Sequence, residues 1–384
     1  MNKLWKAFKI TATLVFLIAL IIIGNKYRYF LSATFNEVLT PWSFEMPKVG
    51  ENFYVHSEVG ACPRAMQRII VRAFPEYKVV FFQKKSPHLI LKEYYAQTDA
   101  SQNIKVPYLC FSGEYENLRW KRFRPSGYPF LEITAHKKEG SNFIFLPYIS
   151  YGKPNLRKLF TESLQEKKRN SVRPLQVAYI SSHFIKEREL MFKLLRDRFP
   201  KKAIALGKCS RTPGYEAPGT YSQLKDIYKR YNFGLAMENH NRKGYITEKI
   251  TNVFEAGSIP IYWGASDLAK ELFNPKAFID INDYKSFEEA ADAVVTITQD
   301  KKLLKKLLHE PMFKNNKIPP LLLVNDDVLS KEEEDILQKM ARKMRISYNS
   351  YLEHKKKPSL YWKALDLPFL TKDLIHNIKI SLIK

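Results

Sequence analysis

The stretch from Tyr231 to Gly264 limits this chain's fold more than any other part of it. Phe233 to Met237 is an apolar run, and Glu238, Asn239, Asn241 and Gly244 come next, where turns form. Ile250, Val253 and Phe254 then recur at helical spacing, Gly257 ends the helix, and Ile259 to Trp263 reads as a buried strand. Strand, polar turn, helix and strand in that order belong to a parallel sheet covered on both faces. The arrangement gathers Glu238, Asn239, Tyr245, Thr247, Glu248 and Lys249 at the carboxyl end of one strand and the start of the next helix. Open α/β sheets take their ligands at that end. A helix N-terminus with Lys249 beside it makes a seat for a diphosphate.

The same alternation extends in both directions. A second unit over 172–330 begins with strand Leu175 to Ile180, helix Lys186 to Arg198 and strand Ala203 to Leu206, followed by helix Ser222 to Tyr231. Ser286-Phe287-Glu288-Glu289 has capping-box form and opens a further amphipathic helix through Ile297. A first unit over 76–165 carries strands Lys78 to Phe82, His88 to Leu91 and Lys105 to Phe111, and closes with Asn142 to Tyr148. Ser112-Gly113-Glu114 sits at the carboxyl end of its third strand. Lys153 to Arg173 is polar and basic and reads as the linker between the units. Residues 29–75 read as a stem or as an early part of the first unit. Residues 331–384 read as a basic helical C-terminal extension that packs back on the body, lies against a membrane or stays solvated.

Ahead of these units, 1–9 is a basic flank, and the uncharged run from Ile10 to Asn25 lies between Lys3, Lys6 and Lys9 on one side and Lys26 and Arg28 on the other. The run is short for a span, which takes roughly 17–25 residues. It reads as a transmembrane signal anchor over 10–28, with Trp5 and Tyr27 as interface anchors; a cleavable signal peptide is the alternative. The charge bias puts the N-terminus in the cytosol and the body on the other side, a single-pass type II arrangement, in the Golgi if the source is eukaryotic.

Composition removes several classes of function. With 45% hydrophobic and 14% aromatic residues the chain is globular, not a disordered tail. A net charge of +24 invites nucleic acid, but the basic clusters (Lys121-Arg122, Lys167-Lys168-Arg169, Lys301-Lys302) are scattered and no nucleic-acid-binding pattern accompanies them. Solvated faces near an anionic membrane are the expectation. Cys62, Cys110 and Cys209 are too widely spaced for a disulfide framework or a Cys-x-x-Cys metal site, though one bridge stays open. No short histidine spacing or Asp-x-Asp pair holds a metal, so no cofactor is expected. Gly-x-Gly-x-x-Gly and P-loop motifs are absent as well.

The segment from Tyr231 resembles the donor-binding signature of the α-1,3-fucosyltransferases of glycosyltransferase family 10. That signature runs aromatic-x-Leu-x-Phe-Glu-Asn, a short loop, Tyr-[Ile/Val]-Thr-Glu-Lys, then a Pro-[Ile/Val] strand ending in Gly. Glu238-Asn239, Tyr245-Ile246-Thr247-Glu248-Lys249 and Pro260-Ile261-Tyr262-Trp263-Gly264 fall at the family spacing, with Met237 in place of Phe. Phe273 to Tyr284 is similar to the family's stretch beyond that glycine. The resemblance covers roughly 87 to 300. It implies two Rossmann-like domains facing a cleft, the GT-B arrangement, with the acceptor on the first and GDP-fucose on the second.

Transfer of a sugar from a nucleoside diphosphate needs a base for the acceptor hydroxyl, cations or N–H groups for the leaving diphosphate, and stabilisation of the oxocarbenium. For an inverting displacement the base comes from the wall opposite the leaving group, where Glu114 lies. Ser112-Gly113-Glu114 resembles the family's [Thr/Ser]-Gly-Glu, whose carboxylate is the base, although Tyr115 replaces the usual Asn. The resemblance also implies Lys249 and Arg188 on the diphosphate, Glu248 facing fucose or ribose, and Asn239 and Tyr245 lining the nucleotide pocket; Lys186 competes with Arg188. Glu238 is expected to fix the loop through hydrogen bonds. The implied activity is inverting transfer of L-fucose from GDP-fucose to a GlcNAc-type hydroxyl, at the 3-position, of a glycan, by a membrane-anchored enzyme that binds no nucleic acid. The rivals are a transferase for another nucleotide sugar and a silent membrane-tethered glycan- or polyanion-binding protein. A silent copy has no need to keep Glu114, Glu248 and Lys249 together.

Overall fold

The computed structural model describes residues 44–58, 62–82, 86–93, 106–113, 130–138, 140–152, 156–169, 172–215, 219–220 and 223–356. They form two wholly parallel sheets. The first contains β1 (Asn52–Ser57), β2 (Lys78–Phe81), β3 (Leu89–Glu93), β4 (Tyr108–Ser112), β5 (Leu131–Thr134) and β6 (Phe143–Phe145), in the order β2-β1-β3-β4-β5-β6. Helix α1 (Arg64–Ala73) makes the crossover from β1 to β2 and buries Ala65, Met66, Ile69, Ile70 and Ala73 along one stripe. Phe53 and Val55 of β1, Leu89 and Leu91 of β3, Leu109 and Phe111 of β4 and Leu131 and Ile133 of β5 alternate onto the same core.

Helix α2 (Leu156–Arg169) leads to the second sheet, built from β7 (Leu175–Tyr179), β8 (Ala203–Ala205), β9 (Tyr231–Met237), β10 (Ile259–Trp263) and β11 (Ile279–Asp280). Its order is β11-β10-β9-β7-β8. The crossovers are α3 (Lys186–Arg198), α4 (Leu224–Tyr228), α5 (Lys249–Glu255) and α6 (Ser266–Leu272), with α7 (Phe287–Gln299) and α8 (Lys301–His309) after the last strand. All seven residues of β9 are buried, as expected of a strand covered on both faces. Gly234 lies within it because a Cβ there would come within 2.6 Å of Val253 and 2.8 Å of Tyr228.

The structure redraws two sequence-based boundaries and selects, for the C-terminal extension, the alternative of packing back on the body. The predicted stem over 29–75 contains β1 and α1, and β1 is an interior strand paired with both β2 and β3. The other face of β1 carries Asn52, Tyr54 and His56, so the strand lacks the apolar run that marks β9. The predicted linker contains α2, whose Leu156 and Phe160 are buried in the core of the second unit. The C-terminal extension over 331–384 contains α9 (Lys331–Lys356), which returns to the first unit and buries Leu337, Ala341, Met344, Tyr348 and Leu352 with the α1 core. Arg72 of α1 forks onto Glu334 of α9 at 2.7 and 2.6 Å, and the Tyr348 hydroxyl donates to the His88 carbonyl at 2.9 Å. The predicted membrane anchor at 10–28 lies outside the described residues, and no described helix is long and apolar enough to cross a membrane.

The return segment ties the units together. Asn325 accepts from the Ala65 N–H at 2.9 Å and so caps α1. Asp326 accepts from the N–H groups of Leu156 and Arg157 at 2.8 and 3.1 Å and caps α2. One dipeptide thereby satisfies free N–H groups of a helix in each unit. Asp326→Ala is expected to lower the unfolding free energy by about 1–2 kcal/mol, the usual cost of a lost cap, in urea denaturation. The exposed Lys331→Ala is expected to change it by less than about 0.5 kcal/mol.

Candidate functional site

Both sheets share one winding, in which the first strand of each unit lies between its second and third. The strand order therefore reverses between β1 and β3, and between β7 and β9, and each reversal opens a crevice at the carboxyl edge. The first turn of α3 places Arg188 across the β7/β9 crevice. Its Nε donates to the Met237 carbonyl at 2.9 Å, Nη2 to Asn239 Oδ1 at 2.7 Å and Nη1 to Ser181 Oγ at 3.4 Å, and the residue is only 6% exposed. Ser181 and Asn239 come just after β7 and β9 respectively, so a single guanidinium joins the two edges.

The neighbouring loop is drawn in by a close backbone approach. A Cβ on Gly207 would lie 2.1 Å from the Ser181 carbonyl oxygen, so glycine alone lets the β8 loop pass so near. Glu189, next to Arg188, accepts from the hydroxyls of Tyr179 and Ser210 and fixes that loop to β7 and α3. Burial, and then the bond to Glu189, push the Tyr179 phenol well above its ordinary range.

The loop from β9 to α5 is organised around Glu238, which is fully buried. Oε1 accepts from the Thr247 N–H at 2.7 Å and Oε2 from the Thr247 hydroxyl at 2.8 Å. Lys249 Nζ lies 3.3 Å from Glu238 Oε2, 3.0 Å from Thr247 Oγ1 and 4.0 Å from Glu248 Oε1. Burial pushes the Glu238 carboxyl up, and Lys249 and the two Thr247 bonds work against that shift. A Cβ on Gly264 would sit 2.5 Å from the Tyr262 hydroxyl and 2.7 Å from Glu238 Cγ, which accounts for the glycine ending β10. Helix α5 has only seven residues, so the Lys249 ammonium supplies more of the local positive charge than the helix dipole does.

Of the predicted site residues, Arg188 and Asn239 meet in a hydrogen bond, and Glu248 and Lys249 stand together at the start of α5. Lys186, the competitor of Arg188, is exposed. Tyr245 is fully buried beneath the loop, beside Gly244, whose φ of +81° suits glycine. Glu114 lies outside the described residues. Reading the sequence alone missed Glu189, because its partners Tyr179 and Ser210 lie in separate segments. It also missed Glu58 and Lys92 at the β1/β3 reversal, where Lys92 Nζ is 3.1 Å from Glu58 Oε1 and 5.3 Å from the Tyr108 ring centroid. Recognising β1 was the missing signal, since Glu58 comes directly after it. The Lys137 N–H of the first unit donates to the Lys243 carbonyl at 3.3 Å, so that unit touches the loop from β9 to α5. Among the described residues no group of three or more His, Cys, Asp or Glu could hold a metal ion.

Part of this chain matches a known family model, and parts of it match known fucosyltransferases. Residues 166–309 match the family model described as glycosyltransferase family 10 (fucosyltransferase) C-term. An α-(1,3)-fucosyltransferase of Helicobacter pylori is 36% identical over 104 residues, which is 27% of this chain and 21% of that protein. An α-(1,4)-fucosyltransferase of Arabidopsis thaliana is 28% identical over 194 residues, 44% of this chain and 47% of that protein. A putative fucosyltransferase of Acanthamoeba polyphaga mimivirus is 34% identical over 119 residues, 29% of this chain and 20% of that protein. The matches thus span between a fifth and a half of these relatives. Crystal structures of an α1,3-fucosyltransferase share the fold, with TM-scores of 0.54 in one and 0.51 in one with GDP-fucose. Identity there is 15% and 16%, over 84% of this chain and 97% of the other. The fold is accordingly α/β and GT-B-like, with two parallel sheets.

Arg188 holds the β7/β9 crevice together before any ligand arrives. Arg188→Lys cannot reproduce the fork to Met237 and Asn239 and is expected to cost about 1–3 kcal/mol of unfolding free energy, since it strands a buried carbonyl and amide. Lys186→Ala, measured in the same denaturation series, is expected to change stability by less than about 0.5 kcal/mol.

Proposed function

We propose that this chain, whose residues 166–309 form a glycosyltransferase family 10 domain, transfers L-fucose from GDP-fucose to a GlcNAc-type hydroxyl, the 3-position, of a glycan, with inversion. The observation that carries this reading is the pairing of Arg188 with Asn239 across the β7/β9 crevice, beside a loop that presents Lys249 from a buried carboxylate. Open parallel sheets bind nucleotides at such a reversal, and two cations at its edge suit a diphosphate. The fucosyltransferase relatives and a fold neighbour crystallised with GDP-fucose support the choice of donor.

In this mechanism GDP-fucose lies along the carboxyl edge of the second sheet, with the diphosphate between Arg188 and Lys249. The acceptor hydroxyl approaches from the first unit, where Glu114 takes its proton as the bond from C1 to the diphosphate breaks. Glu248 faces the sugar and offsets positive charge developing at its ring. Arg188 and Lys249 meet the charge that accumulates on the leaving diphosphate, so transfer needs no resident metal and is expected to continue in EDTA. Residues 10–28 hold the protein at a membrane in a single-pass type II orientation, in the Golgi of a eukaryotic source, where GDP-fucose is supplied to the body. Protease protection of a C-terminal tag in sealed microsomes tests that orientation; a tag digested without detergent reverses it.

Lys249→Ala is expected to weaken GDP binding by at least about tenfold while leaving guanosine binding nearly unchanged, measured by calorimetry. Equal losses for both ligands would assign Lys249 to the nucleoside or to folding. Glu114→Gln is expected to lower kcat by roughly 100-fold or more with GDP affinity preserved, as for loss of a general base. Near-normal turnover in that variant would remove Glu114 from the mechanism.

A further inference from the structure

Glu238 presents a problem that loop-fixing alone does not resolve. A buried carboxylate is costly unless compensated, and Thr247 could have been fixed by a neutral amide. The structure instead sets a carboxyl group 3.3 Å from the cation that the proposed reaction uses to hold the diphosphate.

The hydrogen-bond geometry shows what Glu238 offers the ammonium. Lys249 Nζ is donor-only, so at 3.0 Å it donates to Thr247 Oγ1, and the Thr247 hydroxyl hydrogen is left to point to Glu238 Oε2 at 2.8 Å. Oε1 meanwhile accepts from the Thr247 N–H at 2.7 Å. Both oxygens of Glu238 therefore accept hydrogen bonds, and the ammonium 3.3 Å from Oε2 favours the carboxylate against the upward push of burial. Its other charged neighbour is Glu248, whose Oε1 lies 4.0 Å from the same ammonium. The Lys249 side chain remains 26% exposed while that of Glu238 is wholly enclosed. Of this pair only the lysine can reach a ligand.

We infer that Glu238 is a positioning residue that tempers Lys249, aiming its ammonium with Thr247 while offsetting part of its charge so that the product GDP is released quickly. The inference rests on the diphosphate seat proposed above. An uncompensated lysine in a partly dry crevice attracts a diphosphate strongly both before and after transfer, and binding that is equally tight in both states does not speed the chemical step. A fixed carboxylate 3.3 Å behind the ammonium lowers the field in front of it without blocking the approach. Thr247 relays the geometry, since its backbone and its hydroxyl both bind Glu238 and its oxygen takes one N–H of Lys249.

The experiment compares GDP and guanosine binding by calorimetry, and kcat, in the full chain and in Glu238→Gln, Lys249→Ala and the double variant. The glutamine keeps the shape and can still accept from the Thr247 N–H, but it turns an N–H toward Lys249 in place of a negative oxygen. Glu238→Gln is expected to tighten GDP by about tenfold, leave guanosine unchanged and lower kcat through slow product release. In the Lys249→Ala background the same substitution is expected to have no effect on GDP, because loss of the ammonium leaves burial to neutralise the Glu238 carboxyl and no charge remains to be removed. A folded Glu238→Gln protein with unchanged or weaker GDP binding overturns the inference, as does a gain that persists without Lys249. Should the glutamine variant fail to fold, Glu238→Asp keeps the charge and withdraws it by about 1.5 Å, one C–C bond, and is expected to tighten GDP about twofold to threefold; no gain overturns the idea equally. If Lys249→Ala alone leaves GDP affinity intact, the diphosphate seat itself is wrong. A normal loss there without a gain in Glu238→Gln removes only the role of Glu238.

Discussion

Burying both faces of a parallel sheet obliges the chain to supply a helix at its crossovers and to bring in distant segments where those fall short. The second unit meets this demand almost entirely with local helices, α3 to α8. The first does not. Beside α1 it draws on α9, and Arg72 and Glu334, which join those two helices, are 262 residues apart in the chain. The chain must then pass between the units, and it does so where Asn325 caps α1 and Asp326 caps α2. Helix ends that would otherwise bury free N–H groups are satisfied by the crossing segment, so capping and connection between units are the same contact.

The part of the fold most legible in the sequence is the part with local signals. Helix α3 runs from Lys186 to Arg198 and β10 from Ile259 to Trp263, the limits their patterns suggest, because the amphipathic period of the one and the apolar run of the other are each complete within their own segment. The capping box at Ser286 forms in modified shape. Ser286 Oγ accepts from the Glu289 N–H at 3.2 Å, whereas Glu289 Oε2 accepts from the Lys285 N–H, one residue earlier than the motif specifies. The elements that stayed hidden depend on distant partners. β1 pairs with β2 and β3 and shows a half-polar outer face. The core stripe of α9 has its counterpart on α1, far away in sequence, while its charged face looks like that of a solvated helix.

The candidate site divides in the same way. Glu238, Asn239, Glu248 and Lys249 lie within one loop and its succeeding turn, so their spacing announces them. Arg188 and Asn239 are 51 residues apart, and their contact arises because β7 and β9 are neighbours in the sheet. Glu58 and Lys92 meet by the analogous neighbourhood of β1 and β3. Topology makes these sites: a reversal of strand order leaves a crevice, and the polar residues at the ends of the two strands are brought face to face there.

In the proposed diphosphate seat, Arg188 and Lys249 solve one problem by different chemistry. A cation awaiting an anionic ligand has to be ordered beforehand, since fixing it on arrival costs affinity, yet it must not be neutralised by the groups that order it. Arginine has five N–H donors in a plane. Arg188 commits three of them to a carbonyl, an amide oxygen and a hydroxyl, all uncharged partners, and so gains order at little cost in charge. A lysine ammonium lacks that fixed fork and rides on a flexible stem, so neutral acceptors orient it less firmly. Lys249 is held by Thr247 and the buried Glu238 carboxyl, which steadies it and, on the inference above, tempers its field. On that inference the crevice combines a cation at nearly full strength with one held in check, and the asymmetry comes from which side chain each position carries.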